Sequence, residues 1–271
     1  MKVIRTAAIL LTFAAASAAE AQTPSIVEGR LDERRLTGSL EREFAAIMRE
    51  GADASWIGYP VRGRDRSSGD GCWDGRYGRR TTPVKLEGSS DLFVLYRVEN
   101  RAVGRIQIAS PDCALDLGGL TLHWLTNVTA GASLDWLSTF ARADTSQKAA
   151  SGAIVAIALH GDAAAVDRLI ALAKDGDRRT RSTALFWVSQ RAGERAAGTI
   201  TDAIDRDPDT QVKRQAVFAL SQLPRGEGVP RLIDVARNNR NPEVRKQAMF
   251  WLGQSQDPRA LSFFEEVLRT R

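Results

Sequence analysis

The fold is decided by a stretch near the end of the chain, Asn241-Pro242-Glu243-Val244-Arg245-Lys246-Gln247-Ala248-Met249-Phe250-Trp251-Leu252-Gly253-Gln254. A similar stretch begins 32 residues earlier at Asp209, a third begins 32 residues before that at Asp177, and a fourth begins 31 residues further back at Ser146. A fixed period in this range is the mark of a stacked repeat array. The sequence therefore predicts four repeating units over residues 146–271.

Each unit has the pattern of a helical hairpin. Its first residue is Ser146, Asp177, Asp209 or Asn241, whose side chains can accept a hydrogen bond from a free N–H group at a helix start. Small residues recur inside the first helix, at Ala153, Ala184, Ala216 and Ala248. The second helices have apolar stripes at Val166, Leu169, Ile170 and Ala173; at Ala197, Ile200 and Ile204; at Val229, Leu232 and Ala236; and at Leu261, Phe264 and Leu268. We predict a mainly α fold, a solenoid of about four hairpins whose neighbours complete each other's core.

The units resemble HEAT repeats of the short type, also described as phycobilisome-lyase-like repeats. The resemblance rests on the turns Asp207-Pro208 and Asn241-Pro242, followed by Val212-Lys213 and Val244-Arg245. The closing stretch, residues 244–268, resembles bacterial exported HEAT-repeat proteins. The resemblance implies an interaction scaffold more often than an enzyme, because a fold of this kind does not by itself specify a reaction. HEAT-like hydroxylases use paired His-Glu motifs, which no predicted helix of this sequence contains.

The first 21 residues have the pattern of an export signal. Lys2 and Arg5 precede an uncharged apolar run at residues 7–19, and Ala19-Glu20-Ala21 matches the pattern that signal peptidase accepts. We expect cleavage before Gln22 and a periplasmic or secreted protein. The alternative is a retained anchor, but an apolar run of about 13 residues is too short to cross a hydrocarbon core of roughly 30 Å. The mature chain is therefore expected to make no stable membrane insertion.

The charge balance disfavours nucleic acid as a partner. The chain has 38 basic and 33 acidic residues. Removal of residues 1–21 takes away Lys2, Arg5 and Glu20 and leaves a net charge of +4. This mild excess is interspersed with acidic residues, whereas a nucleic-acid binder concentrates Lys and Arg in a stripe.

Residues 22–130 lack the repeat and predict a small α+β domain, which a helix within residues 131–145 links to the array. Leu31, Leu36, Leu40, Phe44 and Ile47 recur at helical intervals and indicate one amphipathic helix that begins near Thr37. Alternating apolar residues predict strands at 55–61, 92–98 and 103–109, with a fourth strand segment at 120–124 after the hairpin. This domain either caps the open end of the array or binds a ligand.

Two cysteines, Cys72 and Cys113, lie in the mature chain. In an oxidising compartment such a pair is more often bridged than free, and we predict a disulfide between them. The bridge would close a loop of about 40 residues and stabilise the fold by about 4 kcal/mol in the chain-entropy model. The alternative is two separate buried thiols.

The other motifs favour structural roles. The Asp70-Gly71-Cys72-Trp73-Asp74-Gly75 turn lacks the ligand ladder of an EF-hand, so we predict no metal site. His123 and His160 are the only histidines and have no recognisable nucleophile motif near them, so we predict no catalytic residue and no cofactor. The remaining basic cluster comprises Arg62, Arg64, Arg66, Arg76, Arg79 and Arg80, offset by Asp65, Asp70 and Asp74. It favours a solvated loop over a site for an acidic partner or lipid headgroup.

The sequence predicts a protein-interaction scaffold that carries out no catalysis. The candidate partner-binding residues are charged residues of the second helices, namely Arg168, Asp202, Arg231, Asp234 and Glu266. Trp187 and Trp251 are either core residues, which we favour, or exposed anchors for a partner. The alternatives are a lyase-like or other enzyme on the same fold, and a regulator of envelope signalling or proteolysis.

Overall fold

The computed structural model describes residues 23–51, 53–64, 90–142, 146–191 and 194–269. Within these ranges the chain forms five strands and ten helices. The strands are β1 (Ile26–Arg35), β2 (Ala54–Arg62), β3 (Asp91–Glu99), β4 (Ala102–Ala109) and β5 (Leu115–Thr126). The helices are α1 (Leu40–Glu50), α2 (Ala130–Arg142), α3 (Gln147–Leu159), α4 (Ala164–Asp175), α5 (Arg178–Arg191), α6 (Glu194–Arg206), α7 (Thr210–Ser221), α8 (Val229–Asn238), α9 (Pro242–Gln254) and α10 (Pro258–Arg269).

The described strands form one mixed sheet in the order β1-β5-β2-β3-β4. β5 runs parallel to both of its neighbours, β1 and β2, whereas β3 is antiparallel to β2 and β4. One face of the sheet packs on α1 and α2, and there the Tyr59 hydroxyl lies 2.6 Å from the Tyr96 hydroxyl and accepts a hydrogen bond from Ser133. The other face has its own apolar cluster, which includes Phe93 and Trp124.

The start of the amphipathic helix and the segment before it differ from the prediction. α1 begins at Leu40, where the side chain of Ser39 caps it by accepting a hydrogen bond from the backbone N–H of Arg42. Leu31, which belonged to the same helical pattern, lies on β1 instead. The pattern was misleading because β1 is an exposed edge strand rich in charge, so it lacks the apolar alternation that marks a half-buried strand.

The predicted hairpin is confirmed. β3 and β4 are joined at Asn100 and Arg101, which have φ angles of 50° and 60°. Positive φ at both central residues is the conformation that matches a two-residue turn to the twist of its strands. The predicted strand segment at 120–124 belongs to the longer strand β5, which lies between β1 and β2.

The four predicted hairpins are α3/α4, α5/α6, α7/α8 and α9/α10. The first helices α3, α5, α7 and α9 pack directly on one another along the array. Ala153, Ala184, Ala216 and Ala248 are all fully buried in this layer. The small repeated residue therefore lies inside the helix layer, where it takes up little room between the packed helices.

Three of the four predicted helix caps are present. The side chains of Asp177, Asp209 and Asn241 accept hydrogen bonds from backbone N–H groups of the helices that follow them, at 2.7, 2.7 and 3.0 Å. The prediction for Ser146 was wrong. Its hydroxyl donates instead to the carbonyl of Gly104 in β4 at 2.6 Å, because the sheet lies against the start of α3.

In α5, α7 and α9, the fourth residue of the helix is basic and donates a hydrogen bond to a carbonyl group at the end of the preceding second helix. Arg181 donates to the carbonyl of Gly176, Lys213 to that of Asp205, and Arg245 to that of Asn239, each at 2.8 Å. The last carbonyl groups of a helix have no partner within it and carry partial negative charge. The Lys or Arg of the repeat pattern therefore stabilises the turn between successive units.

The apolar stripe of the last helix differs from the prediction. α10 buries Ala260 and Phe263, whereas Leu261 and Leu268 are 63% and 74% exposed. Two apolar stripes, one residue apart, run along this helix, and the sequence alone does not distinguish them. Packing against α8 and α9 selects the stripe of Ala260 and Phe263.

The sheet and the array share one continuous hydrophobic core. At the end of β2, Gly63 pairs with His160, the residue that follows α3. The N–H of Arg64 donates to the carbonyl of Leu159 at 2.9 Å, and the N–H of Gly161 donates to the carbonyl of Arg62 at 2.7 Å. These backbone hydrogen bonds fix the first repeat to the sheet. α2 completes this junction by packing on α3 and α4.

Candidate protein-binding surfaces of the helical array

The exposed charges of the second helices form ion pairs between neighbouring helices. Arg168 of α4 pairs with Asp135 of α2, and Arg237 of α8 pairs with Glu266 of α10, both at 2.5 Å. Arg195 of α6 pairs with an α4 carboxylate at the same distance. Two of the residues predicted to bind a partner, Arg168 and Glu266, thus contact neighbouring helices of the chain itself.

The other predicted binding residues lie on the same layer. Asp202 pairs with Arg206 one turn later at 2.6 Å, and Asp234 accepts a hydrogen bond from Asn238 at 2.7 Å. Arg231 is exposed. Exposed ion pairs contribute only about 0–1 kcal/mol each, so a partner can replace them at small cost. The structure therefore leaves these residues accessible, but it also gives most of them a role inside the array.

The two layers of the array differ in charge. The first helices α3, α5, α7 and α9 carry one, four, two and two Lys or Arg residues, and Glu243 is the single acidic residue in them. The second helices α4, α6, α8 and α10 carry two basic residues each and two, three, one and two acidic residues. The net charge is therefore +8 for the first-helix layer and zero for the second-helix layer.

A row of aromatic rings crosses the first-helix layer, which the sequence reasoning missed. Phe186, Phe218 and Phe250 occupy the same position in successive repeats. The rings of Phe186 and Phe218 are parallel, with centroids 6.1 Å apart. Phe186 and Phe218 are half-buried, while Phe250 is 53% exposed. The signal available in the sequence was the recurrence of phenylalanine at one position in three successive repeats. We call these three residues the aromatic row.

Trp187 and Trp251 contact the rings of the aromatic row. Both are half-buried and pack against the hydrophobic core. The ring of Trp251 lies 4.9 Å from that of Phe218 and 5.0 Å from that of Phe250, measured between centroids. The two tryptophans are therefore neither fully buried core residues nor free anchors, and they hold the phenylalanine rings in place.

Basic side chains lie beside the aromatic row. Arg214 and Lys246 precede Phe218 and Phe250 by four residues and so share their helix face, and Arg179 precedes Phe186 by seven. Arg179 and Lys246 are exposed. Among the described residues, none of these three forms a salt bridge to a carboxylate. Arg214 donates instead to the neutral side-chain oxygens of Gln247 and Gln211, at 3.4 and 3.5 Å.

His123 lies on the sheet, away from the array. Its Nδ1 atom is 2.8 Å from Asp32, which also accepts a hydrogen bond from Arg34. Burial alone would raise the pKa of Asp32, but the hydrogen bonds from Arg34 and His123 outweigh it and lower that pKa. The histidine joins β5 to the edge strand β1, which is a structural contact. Within the described residues, no group of three or more His, Cys, Asp or Glu side chains could hold a metal ion.

His160 is buried where the sheet meets the array. Only 1% of the residue is exposed, and its Nδ1 atom accepts a hydrogen bond from the N–H of Asp162 at 3.3 Å. Its Nε2 atom is buried without a hydrogen-bond partner in the described structure. Burial lowers the pKa of His160 to about 4, so the ring is neutral at physiological pH.

Several predicted features lie outside the described residues. These are the export signal at residues 1–21, Cys72, the turn at residues 70–75, and the basic residues Arg66, Arg76, Arg79 and Arg80. Of the basic cluster, Arg62 and Arg64 are described, and Arg64 donates to the carbonyl of Gln190 in α5 at 3.2 Å. Cys113 is 6% exposed and follows the end of β4. The bridge between Cys72 and Cys113 stays a prediction.

The stacked hairpins define a helical-repeat protein of the solenoid class. The family model of HEAT repeats matches residues 197–271, which confirms the expected repeat type for the second part of the array. Among solved structures, the chain is similar to the complex of CpcE and CpcF of phycocyanin lyase from Nostoc sp. PCC7120. The identity is 19% and the TM-score 0.40, over 52% of this chain and 91% of that chain.

No curated protein matches the chain. In the part of the chain that the structure describes, no helix has the length and apolar character needed to cross a membrane.

Proposed function

We propose that the chain is an exported scaffold that holds a protein partner on its helical array and performs no catalysis of its own. The observation that carries this proposal is that the four hairpins bury a shared core and still keep large or charged side chains at the surface in successive repeats. Repeat arrays present extended surfaces of this kind, and charge complementarity on them sets the choice of partner.

Export is part of the proposal and rests on the sequence pattern of residues 1–21. It is tested by expressing the full chain in a Gram-negative bacterium and sequencing the N-terminus of the protein released from the periplasm. We expect the mature chain to begin at Gln22. A protein that stays in the cytoplasm with Met1 or Lys2 at its N-terminus contradicts export.

Partner binding is tested by crosslinking in intact cells. A photoreactive amino acid is placed at Phe250 on the first-helix layer, at Arg231 on the second-helix layer, and at Val27 as a control. Val27 is 71% exposed on β1, far from the repeats in the chain, so it reports random encounters. We expect a discrete adduct from Phe250 or Arg231 that Val27 does not give. If neither array position gives such an adduct, the scaffold proposal is wrong.

A further inference from the structure

The charge difference between the two helix layers is not explained by the turns alone. Arg181, Lys213 and Arg245 bind carbonyl groups at the ends of preceding helices, and Arg191 donates to the carbonyls of Ala158 and His160. These four account for less than half of the nine basic residues in the first helices. Arg179, Arg214 and Lys246 remain on the outer face, beside the aromatic row. Among the described residues, Arg214 and Lys246 form no salt bridge to a carboxylate, and Arg179 has only an electrostatic interaction with Asp177.

We propose that this outer face, formed by the aromatic row and by Arg179, Arg214 and Lys246, binds an acidic peptide segment that also carries apolar side chains. The inference rests on the proposed function and names its surface and the chemistry of its partner. Carboxylates of the segment pair with the three basic side chains, and its apolar side chains pack on the phenylalanine rings. Phe and Arg side chains are both enriched in protein interfaces relative to the rest of a protein surface.

The position of the rings favours a peptide over a single-stranded nucleic acid. Bases bind by stacking on an open ring face. Here the rings of Phe186 and Phe218 are parallel to each other, and the ring of Trp251 packs beside that of Phe218. These rings therefore offer apolar contact area for side chains rather than open faces on which a base could stack.

Peptide binding is measured by fluorescence anisotropy with the mature chain. The probe is a fluorescein-labelled peptide of two Glu-Asp-Phe-Glu-Asp-Leu repeats. In one matched peptide Lys replaces every Glu and Asp, and in the other Ser replaces Phe and Leu. We expect the acidic apolar peptide to bind most tightly, with a Kd that rises between about 50 and 300 mM salt because the pairing charges are exposed. Tighter binding of the Lys peptide overturns the inference.

Charge-reversal variants locate the site. R214E/K246E changes the outer face of the first helices, and K174E/R206E makes the same charge change on the second helices. We expect R214E/K246E to raise the Kd at least about tenfold and K174E/R206E to change it less than about twofold. F250A removes the most exposed ring and should weaken binding about three- to tenfold without a change in salt dependence. Circular dichroism and thermal unfolding establish that each variant is folded.

The outcomes separate the inference from the scaffold proposal. If K174E/R206E abolishes binding and R214E/K246E does not, the partner binds the second helices, and only the inference fails. If a 12-residue oligo(dT) displaces the peptide at a lower concentration than unlabelled peptide does, the face recognises nucleic acid, and the inference is wrong. If crosslinking yields no adduct from either layer, the scaffold proposal itself fails, whatever the peptide does.

Discussion

Arg181 and Asp207 form a two-pronged ion pair that joins two successive repeats. Nε of Arg181 lies 2.7 Å from one carboxylate oxygen of Asp207, and Nη2 lies 3.0 Å from the other. The two side chains are only 15% and 6% exposed. The third guanidinium nitrogen donates to the carbonyl of Gly176, so one side chain connects the end of α4 to the end of α6. Paired geometry of this kind is specific to Arg, since the Lys ammonium has no planar fork.

Breaking this pair is predicted to destabilise the array. Asp207→Ala leaves the Arg181 guanidinium with little solvent and without the carboxylate that it hydrogen-bonds, so we expect a loss of about 2–4 kcal/mol in the free energy of unfolding. Asp202→Ala is the matched control, because the Asp202–Arg206 pair is exposed and should contribute less than about 1 kcal/mol. Urea unfolding measures both. Equal losses for the two variants would show that the buried pair has no special role.

Substitution of alanine at two helix glycines is predicted to change the stability of the chain in opposite directions. A Cβ at Gly152 of α3 would overlap the backbone carbonyl of Ile106 in β4, whereas a Cβ at Gly198 of α6 meets nothing within 4 Å. Gly152→Ala should therefore destabilise the junction of sheet and array by about 1–3 kcal/mol. Gly198→Ala should stabilise the chain by up to about 1 kcal/mol, since alanine favours the helix. Thermal unfolding distinguishes them, and a stabilising Gly152→Ala contradicts the close approach of α3 to β4.

His160 is predicted to make the fold sensitive to mild acid. Its pKa of about 4 in the folded chain lies below the ordinary value of 6.5 that it has when unfolded. The unfolded state therefore binds a proton first as the pH falls, and stability decreases between about pH 6.5 and pH 4, by up to about 3 kcal/mol. Below pH 4 both states are protonated and this contribution levels off.

The matched variant for this prediction is His160→Asn. Its side-chain oxygen can accept the hydrogen bond from the N–H of Asp162, and it does not titrate. Unfolding free energies of both proteins at pH 7, 5.5 and 4 isolate the histidine from the carboxylates, which are common to both. If the variant loses as much stability as the parent chain over this range, the buried histidine is not the cause.

The disulfide between Cys72 and Cys113 is predicted from the sequence and can be tested without a structure. Mass spectrometry of exported protein, alkylated before digestion, should show the two cysteine peptides joined. Reduction should lower the free energy of unfolding by about 4 kcal/mol, since the bridge closes a loop of about 40 residues. Two alkylated thiols in the exported protein would contradict both the bridge and part of the argument for export.

The strands and surfaces were predictable only in part. The hairpin at Asn100 could be recognised because both of its strands have apolar alternation around a short turn. β1 could not, because an edge strand beside solvent needs no such pattern. The binding residues proposed from sequence, such as Arg168 and Glu266, were chosen for charge on an outer helix face, and the pattern could not show that neighbouring helices pair with them.

The sequence by itself determined the repeat. Period, helix caps at Asp177 and Asp209, and buried alanines are local features, because each is set by contacts within one unit or with the next copy of the same unit. Only the tertiary structure decided how the unlike parts fit. It placed Ser146 against β4, put β5 between β1 and β2, and left Phe218 and Phe250 at the surface beside Arg214 and Lys246. Such choices depend on contacts between segments far apart in the chain, and no periodic pattern records them.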